Sequence, residues 1–279
     1  VAMWQEEIYP SFRYPVILIF GSLMVKRARN FIFDWAPFLF ILLSYDYLRG
    51  FVPSLIPQTH FTEMIKTDFW FFHKIPNQIL QSSLFHPGYL RWYDYLATLI
   101  YMLHYILPFG FGFLLWINSK RYFKEFVTGL SLLSYAAWIT YLIFPTAPPW
   151  LANQVGYLPN VVKIMNFTLT NIFGRFDFAT VYHNLNPNPV GSFPSMHTAY
   201  PFLIFLFSLH FFGKKAFFFL PYVLAVWFSI VYLGEHYVTD IIGGAIYTLI
   251  FYFLTVKFFH QVNWQKHLAG TILGKWLNT

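Results

Sequence analysis

The chain has 279 residues, 57% of them hydrophobic, 24% aromatic and only 10% charged. Ordinary soluble domains carry about 25% charged residues, so this composition excludes one and points to an integral membrane protein. The net charge of +7 lies in short Lys/Arg clusters between apolar segments rather than in a basic stripe, which argues against a nucleic-acid partner, and the lack of cysteine excludes disulfides.

The apolar runs are continuous and do not alternate, which excludes a β-barrel. The expected fold is all-α: a polytopic helical membrane bundle with a six-helix catalytic core plus N-terminal and interfacial helices. Residues 1–30 contain Tyr14 to Val25, too short for a crossing at about 20 residues and expected to be interfacial or re-entrant. The catalytic domain is expected over 31–260. Its first crossing runs from Phe31 to Leu48, with Asp34 and Asp46 as structural carboxylates near its ends. Residues 51–90 turn polar-aromatic and read as an interfacial region, where Phe69, Trp70, Phe71 and Phe72 suit the headgroup boundary.

A second crossing covers Trp92 to Ile117 and holds His104, an intramembrane histidine and hence a functional candidate. The third, Phe126 to Phe144, stops at Pro145-Thr146-Ala147-Pro148-Pro149-Trp150, where proline cannot continue a helix and Trp150 suits an interface. An outer loop over 145–195 follows, with Arg175 inside it. Three more crossings span Met196–Phe212, Ala216–Leu233 and Val238–Phe259, before a cytoplasmic tail at 261–279. With six crossings, the clusters at 26–29, 120–124, 214–215 and 257–275 share one side. Pro145–Trp150, His197 and His236 share the other. The positive-inside bias then places His197 and His236 on the extracytoplasmic or lumenal face and the C-terminus in the cytoplasm.

Two stretches carry the chemistry, Gly191-Ser192-Phe193-Pro194-Ser195-Met196-His197 and Gly234-Glu235-His236-Tyr237-Val238-Thr239-Asp240. His236 and Asp240 are four apart, on one helix face. The carboxylate accepts a hydrogen bond from the N–H of one ring nitrogen, which fixes the tautomer and leaves the other free as a nucleophile. His197 opens a helix whose N-terminus, with the Ser195 hydroxyl, favours a phosphate, and it is placed to act as general acid and base. Two histidines and an aspartate also suit zinc. The serine and the helix N-terminus favour an anion cradle instead, so neither metal nor cofactor is expected.

The residues FPSMHTAYP and GEHYVTDIIGG resemble the second and third motifs of the type 2 phosphatidic acid phosphatase superfamily. That resemblance implies a metal-independent phosphohistidine mechanism, with His236 as nucleophile, Asp240 its partner, His197 the acid/base and Ser195 a phosphate ligand. Two basic elements of the family pattern are missing: Ile230 stands where the third motif has arginine, and FPTAPPWL replaces the basic first motif. Pro148, Pro149 and Trp150 in that position resemble the inositolphosphotransferase branch, which implies transfer of an inositol phosphate-like headgroup to or from a phospholipid, sphingolipid or polyprenyl substrate. Without those cations the developing phosphate charge must be met elsewhere, and Arg175 is the guanidinium best placed in sequence. Lipid phosphate or polyprenyl diphosphate hydrolysis is the alternative. A non-enzymatic lipid transporter or lipid-binding protein is the alternative of another class.

Overall fold

The structure, a computed structural model, describes residues 13–24, 28–55, 58–174 and 188–261. Among the described residues, twelve α-helices of six residues or more carry the architecture: α1 (Arg13–Met24), α2 (Ala28–Gly50), α3 (Glu63–Phe72), α4 (Pro76–Leu84), α5 (Trp92–Leu103), α6 (Leu107–Asn118), α7 (Lys120–Ile143), α8 (Pro149–Gln154), α9 (Ile164–Phe173), α10 (Met196–Phe212), α11 (Leu220–Tyr232) and α12 (Val238–Gln261). Extended pairing among the described residues is limited to isolated bridges from Thr146 to His60 and to Gly191. The fold is an all-α polytopic bundle.

Four helical stretches among the described residues are long and apolar enough to cross a membrane: Ala28–Gly50, Lys120–Ile143, Met196–Tyr232 and Val238–His260. The pair α5 and α6 makes a fifth, bent by 48°. The sequence pattern reads Trp92 to Ile117 as one straight crossing, and Pro108 accounts for the difference. It has no N–H, and its ring clashes with the carbonyl four residues back, that of His104. The backbone from His104 to Ile106 tightens into i→i−3 bonds instead. The 37-residue stretch Met196–Tyr232 doubles back at a 3₁₀ turn, Gly213–Phe219. Phe202 on α10 meets Trp227 on α11 at 5.5 Å between ring centroids, so the two arms run side by side.

Lipid tails are as apolar as the side chains, so packing rather than water exclusion joins these helices. The main core is aromatic: Trp35 of α2 lies 5.1 Å from Phe123 of α7, and Phe126 of α7 lies 5.7 Å from Phe207 of α10. Each such ring pair adds about 0.5–1.5 kcal/mol beyond its contact area. The two ends of the bundle differ. At one end, the Asp34 carboxylate is buried, accepts from Trp116 Nε1 at 2.6 Å and pairs with the Lys120 ammonium. Glu125 and His210 approach to 3.5 Å near the same end. At the other end lie the close of α2 and the starts of α10 and α12, which meet around Arg49, His197 and His236.

Candidate active site

Each histidine-bearing segment is fixed by contacts from elsewhere in the chain. Helix α10 starts where it does because the Ser195 hydroxyl accepts from the Thr198 amide at 3.2 Å, a local N-cap. The loop before it is strapped to Thr146, whose backbone pairs with Val190 and Ser192 and whose hydroxyl accepts from Phe193 N at 2.8 Å. Gly244 of α12 lets that loop lie against the helix, since a Cβ there would come within 2.4 Å of the Ser195 carbonyl.

The segment carrying His236 is held from both sides by the interfacial helices. On one side, Asn77 of α4 donates to the carbonyls of Val231 and His236 at 2.8 and 3.0 Å. Gln81 donates to the Tyr232 carbonyl at 2.8 Å, and these bonds satisfy the orphan carbonyls ending α11. On the other side, Asp68 of α3 accepts from the amides of Val238 and Thr239 at 3.1 and 2.8 Å, and from the Thr239 hydroxyl at 2.6 Å. Asp68 thus caps α12 from 170 residues away in sequence. Burial pushes its carboxyl above the usual aspartate range, against the pull of those donors. Between the clamps the backbone turns at Gly234, φ +77°, where a Cβ would sit 2.5 Å from the Val162 carbonyl. Only glycine fits there.

His197, His236 and Asp240 meet, but not on one helix face: His236 lies in the turn two residues before α12, whose first turn carries Asp240. His197 Nδ1 lies 2.8 Å from His236 Nε2, and His236 Nδ1 lies 3.2 Å from Asp240 Oδ2. Asp240 Oδ2 also accepts from the Ser192 hydroxyl at 2.5 Å and from the Tyr237 amide at 3.0 Å. With the N–H of His236 on Nδ1 directed at the Asp240 carboxylate, the Nε2 lone pair faces His197. His236 and Asp240 are buried, so little water competes for these bonds.

Behind this group is a cavity of about 50 Å³, whose lining includes Arg49, Trp150, Ser192, His197, Glu235 and His236. That is roughly three to four water-sized volumes, close to the bulk of a phosphoryl group. Pro148 lines it too, whereas Pro149 is buried behind it as the first residue of α8. Trp150 donates its amide to the Gly234 carbonyl at 3.1 Å, and the Lys163 ammonium sits 4.6 Å above its ring. Lys163 also reaches Glu235 at 3.5 Å. His104, at the bend after α5, stands with its ring 4.1 Å from that of His197, and Tyr101 stacks on the same ring at 4.6 Å.

Ser195 does not line the cavity; its buried hydroxyl serves the cap. Arg175 lies outside the described residues. Ile230, where the family pattern has arginine, is fully buried in an apolar cluster with Ile164, Met165 and Val226. Sequence reasoning missed Arg49, Ser192, Asp68, Asn77 and Gln81. Ser192 alone had a local signal, standing three residues before Ser195. No group of three or more His, Asp or Glu side chains among the described residues is arranged to hold a metal ion.

The PAP2 superfamily model matches residues 86–254, which contain both histidines and the aspartate. The chain belongs to the PAP2 superfamily. As a PAP2 protein it is a membrane enzyme of the phosphatase or phosphotransferase type. It is similar to the phosphoinositol dihydroceramide synthase of Bacteroides thetaiotaomicron, 23% identical over 82% of this chain and 77% of that protein. It is also similar to the inositol phosphorylceramide synthase catalytic subunit aur1 of Schizosaccharomyces pombe, 28% identical over 59% of this chain and 40% of that protein. The inositol phosphorylceramide synthase of Candida albicans matches at 28% over 59% of this chain and 36% of its own length. The chain thus spans less than half of the fungal relatives it matches. No solved structure matches it.

Proposed function

We propose that this PAP2 enzyme transfers a phospho-headgroup, of the inositol phosphate type, between lipids through a phosphohistidine on His236. The observation that carries the reading is the pairing of His236 with Asp240 on one nitrogen and His197 on the other, beside a phosphoryl-sized cavity. In the first half-reaction the contact between the two rings opens and the donor phosphodiester enters. Nε2 of His236 attacks phosphorus, the bond from phosphorus to the departing lipid oxygen breaks, and His197 gives that oxygen its proton. Asp240 stabilises the positive ring that builds on His236. In the second half-reaction a lipid hydroxyl passes its proton to His197 and attacks phosphorus, and the nitrogen–phosphorus bond breaks.

A larger groove of about 830 Å³ adjoins the site through Trp150 and is lined by Asn153, Asn166, Asn171, Lys163 and Thr170 among others. Amides of this kind suit a polyol head, and the names of the similar bacterial and fungal proteins support a ceramide-like acceptor. The Lys/Arg clusters at 120–124 and 214–215 lie at the far end of the bundle, which supports an extracytoplasmic or lumenal site.

The test is product analysis by mass with purified protein in nanodiscs containing phosphatidylinositol and ceramide, with chelator present, wild type beside His236→Ala. The expected product is inositol phosphorylceramide with diacylglycerol released, and none from His236→Ala. Free inositol phosphate in its place would move the reading to hydrolysis. Full activity in His236→Ala would remove the mechanism.

A further inference from the structure

We infer that Arg49, at the end of α2, is the guanidinium that binds the transferred phosphoryl group. The inference rests on the phosphohistidine reading and adds the charge that reading lacks. The third-motif position for arginine holds Ile230, packed in an apolar cluster, so no cation reaches phosphorus from there. Arg49 is the only Lys or Arg lining the cavity that also exposes His197 and His236, among the described residues.

Its local contacts leave it with donors to spare. The Asp46 carboxylate beside it is at 3.7 Å, beyond the 2.7–3.2 Å of an N–H···O bond. Tyr45 presents its ring face 5.6 Å from the guanidinium carbon, a contact that uses charge and no N–H. Nε of Arg49 is buried with no hydrogen-bond partner. The Asp46 carboxylate offsets part of the guanidinium charge but at 3.7 Å makes no close hydrogen bond, and the planar fork matches phosphate oxygens two at a time. A phosphoryl group in the cavity supplies the missing acceptors. The position also suits the reaction, because charge on the equatorial oxygens grows as His236 attacks, and a fixed cation there stabilises that growth. Arg49 lies upstream of the family match at 86–254, so the family pattern does not contain it.

The probe is orthovanadate, which adopts the five-coordinate geometry of phosphoryl transfer. Its binding is followed by calorimetry and by thermal stabilisation of the purified protein. Wild type is compared with Arg49→Gln, Arg49→Lys, His236→Ala and Arg91→Gln, the last removing an exposed guanidinium that does not line the cavity. Arg49→Gln is expected to weaken binding about 10- to 100-fold, the worth of a hydrogen bond to a charged group, while Arg91→Gln binds as wild type does. Arg49→Lys is expected to bind at least about 3-fold more weakly than wild type, since an ammonium lacks the fork. It decides the matter if the glutamine variant does not fold. Binding by either Arg49 variant within twofold of wild type, with binding lost in His236→Ala, overturns the role of Arg49 and leaves the histidine reading standing. Equal losses in Arg49→Gln and Arg91→Gln also overturn it, as an effect of net charge alone. No binding to wild type overturns both readings.

Discussion

Replacing Asp68 with alanine tests whether the interfacial helices hold the catalytic loop. Asp68 is fully buried and accepts from the amides of Val238 and Thr239 and from the Thr239 hydroxyl. Losing an N-cap costs about 0.5–2 kcal/mol, and a buried donor left without a partner costs about 1–3 kcal/mol. Three donors lose their acceptor, and near an interface that water reaches the lower figure of about 1 kcal/mol applies to each, so the expected loss is about 3 kcal/mol. The effect on turnover is larger than on binding. Loosening the first turn of α12 moves Asp240 and His236, and a misplacement of about 1 Å costs on the order of 100-fold in rate. The assay pairs thermal unfolding in detergent with headgroup transfer from phosphatidylinositol, measured at several ceramide concentrations. Asp68→Asn serves as the control: it keeps one acceptor oxygen but turns an NH₂ group towards N–H donors, so it recovers little. An alanine variant that melts with wild type and turns over at the wild-type rate would refute the clamp.

Ser192→Ala removes the hydroxyl that donates to Asp240 at 2.5 Å. Its expected effect is a fall in kcat of roughly 10-fold, the worth of one hydrogen bond to a charged acceptor, with KM little changed; steady-state kinetics check this. Gly244→Ala places a methyl 2.4 Å from the Ser195 carbonyl. Overpacking of that kind costs about 1–3 kcal/mol, read as a lower melting temperature together with lost activity. Asp34→Ala, at the opposite end of the bundle, removes the acceptor of the Trp116 N–H and the carboxylate that pairs with Lys120. It is expected to cost about 1–3 kcal/mol of stability while the folded enzyme keeps its kcat and KM, which separates the two ends of the molecule.

The triad was legible in the sequence because its grammar is local. A histidine just inside a helix start survives any packing of the rest, and so does the short span from His236 to Asp240, although His236 stands two residues before α12 rather than on it. The helical, membrane character of the fold followed from the apolar runs and from the clusters of Lys and Arg between them. The bend at His104 was less visible. Pro108 sits inside an apolar run that reads as one crossing, and the place of the bend beside His197 is a tertiary fact. The clamps were illegible altogether, because Asp68 caps a helix that begins 170 residues later. Cap rules read from sequence look only to neighbouring residues. Arg49 was hidden for the same reason: at the end of a helix it reads as one more interfacial charge until α2 is packed against α7.

The helix α3 faces two ways at once. Asp68 points inward to the start of α12, while Phe69, Trp70, Phe71 and Phe72 on the following turn are exposed. Aromatic rings of this kind settle at the depth where headgroups meet acyl chains. Any change of leaflet composition or detergent that shifts these rings therefore acts on the cap of α12, the helix that carries Asp240 and begins two residues after His236.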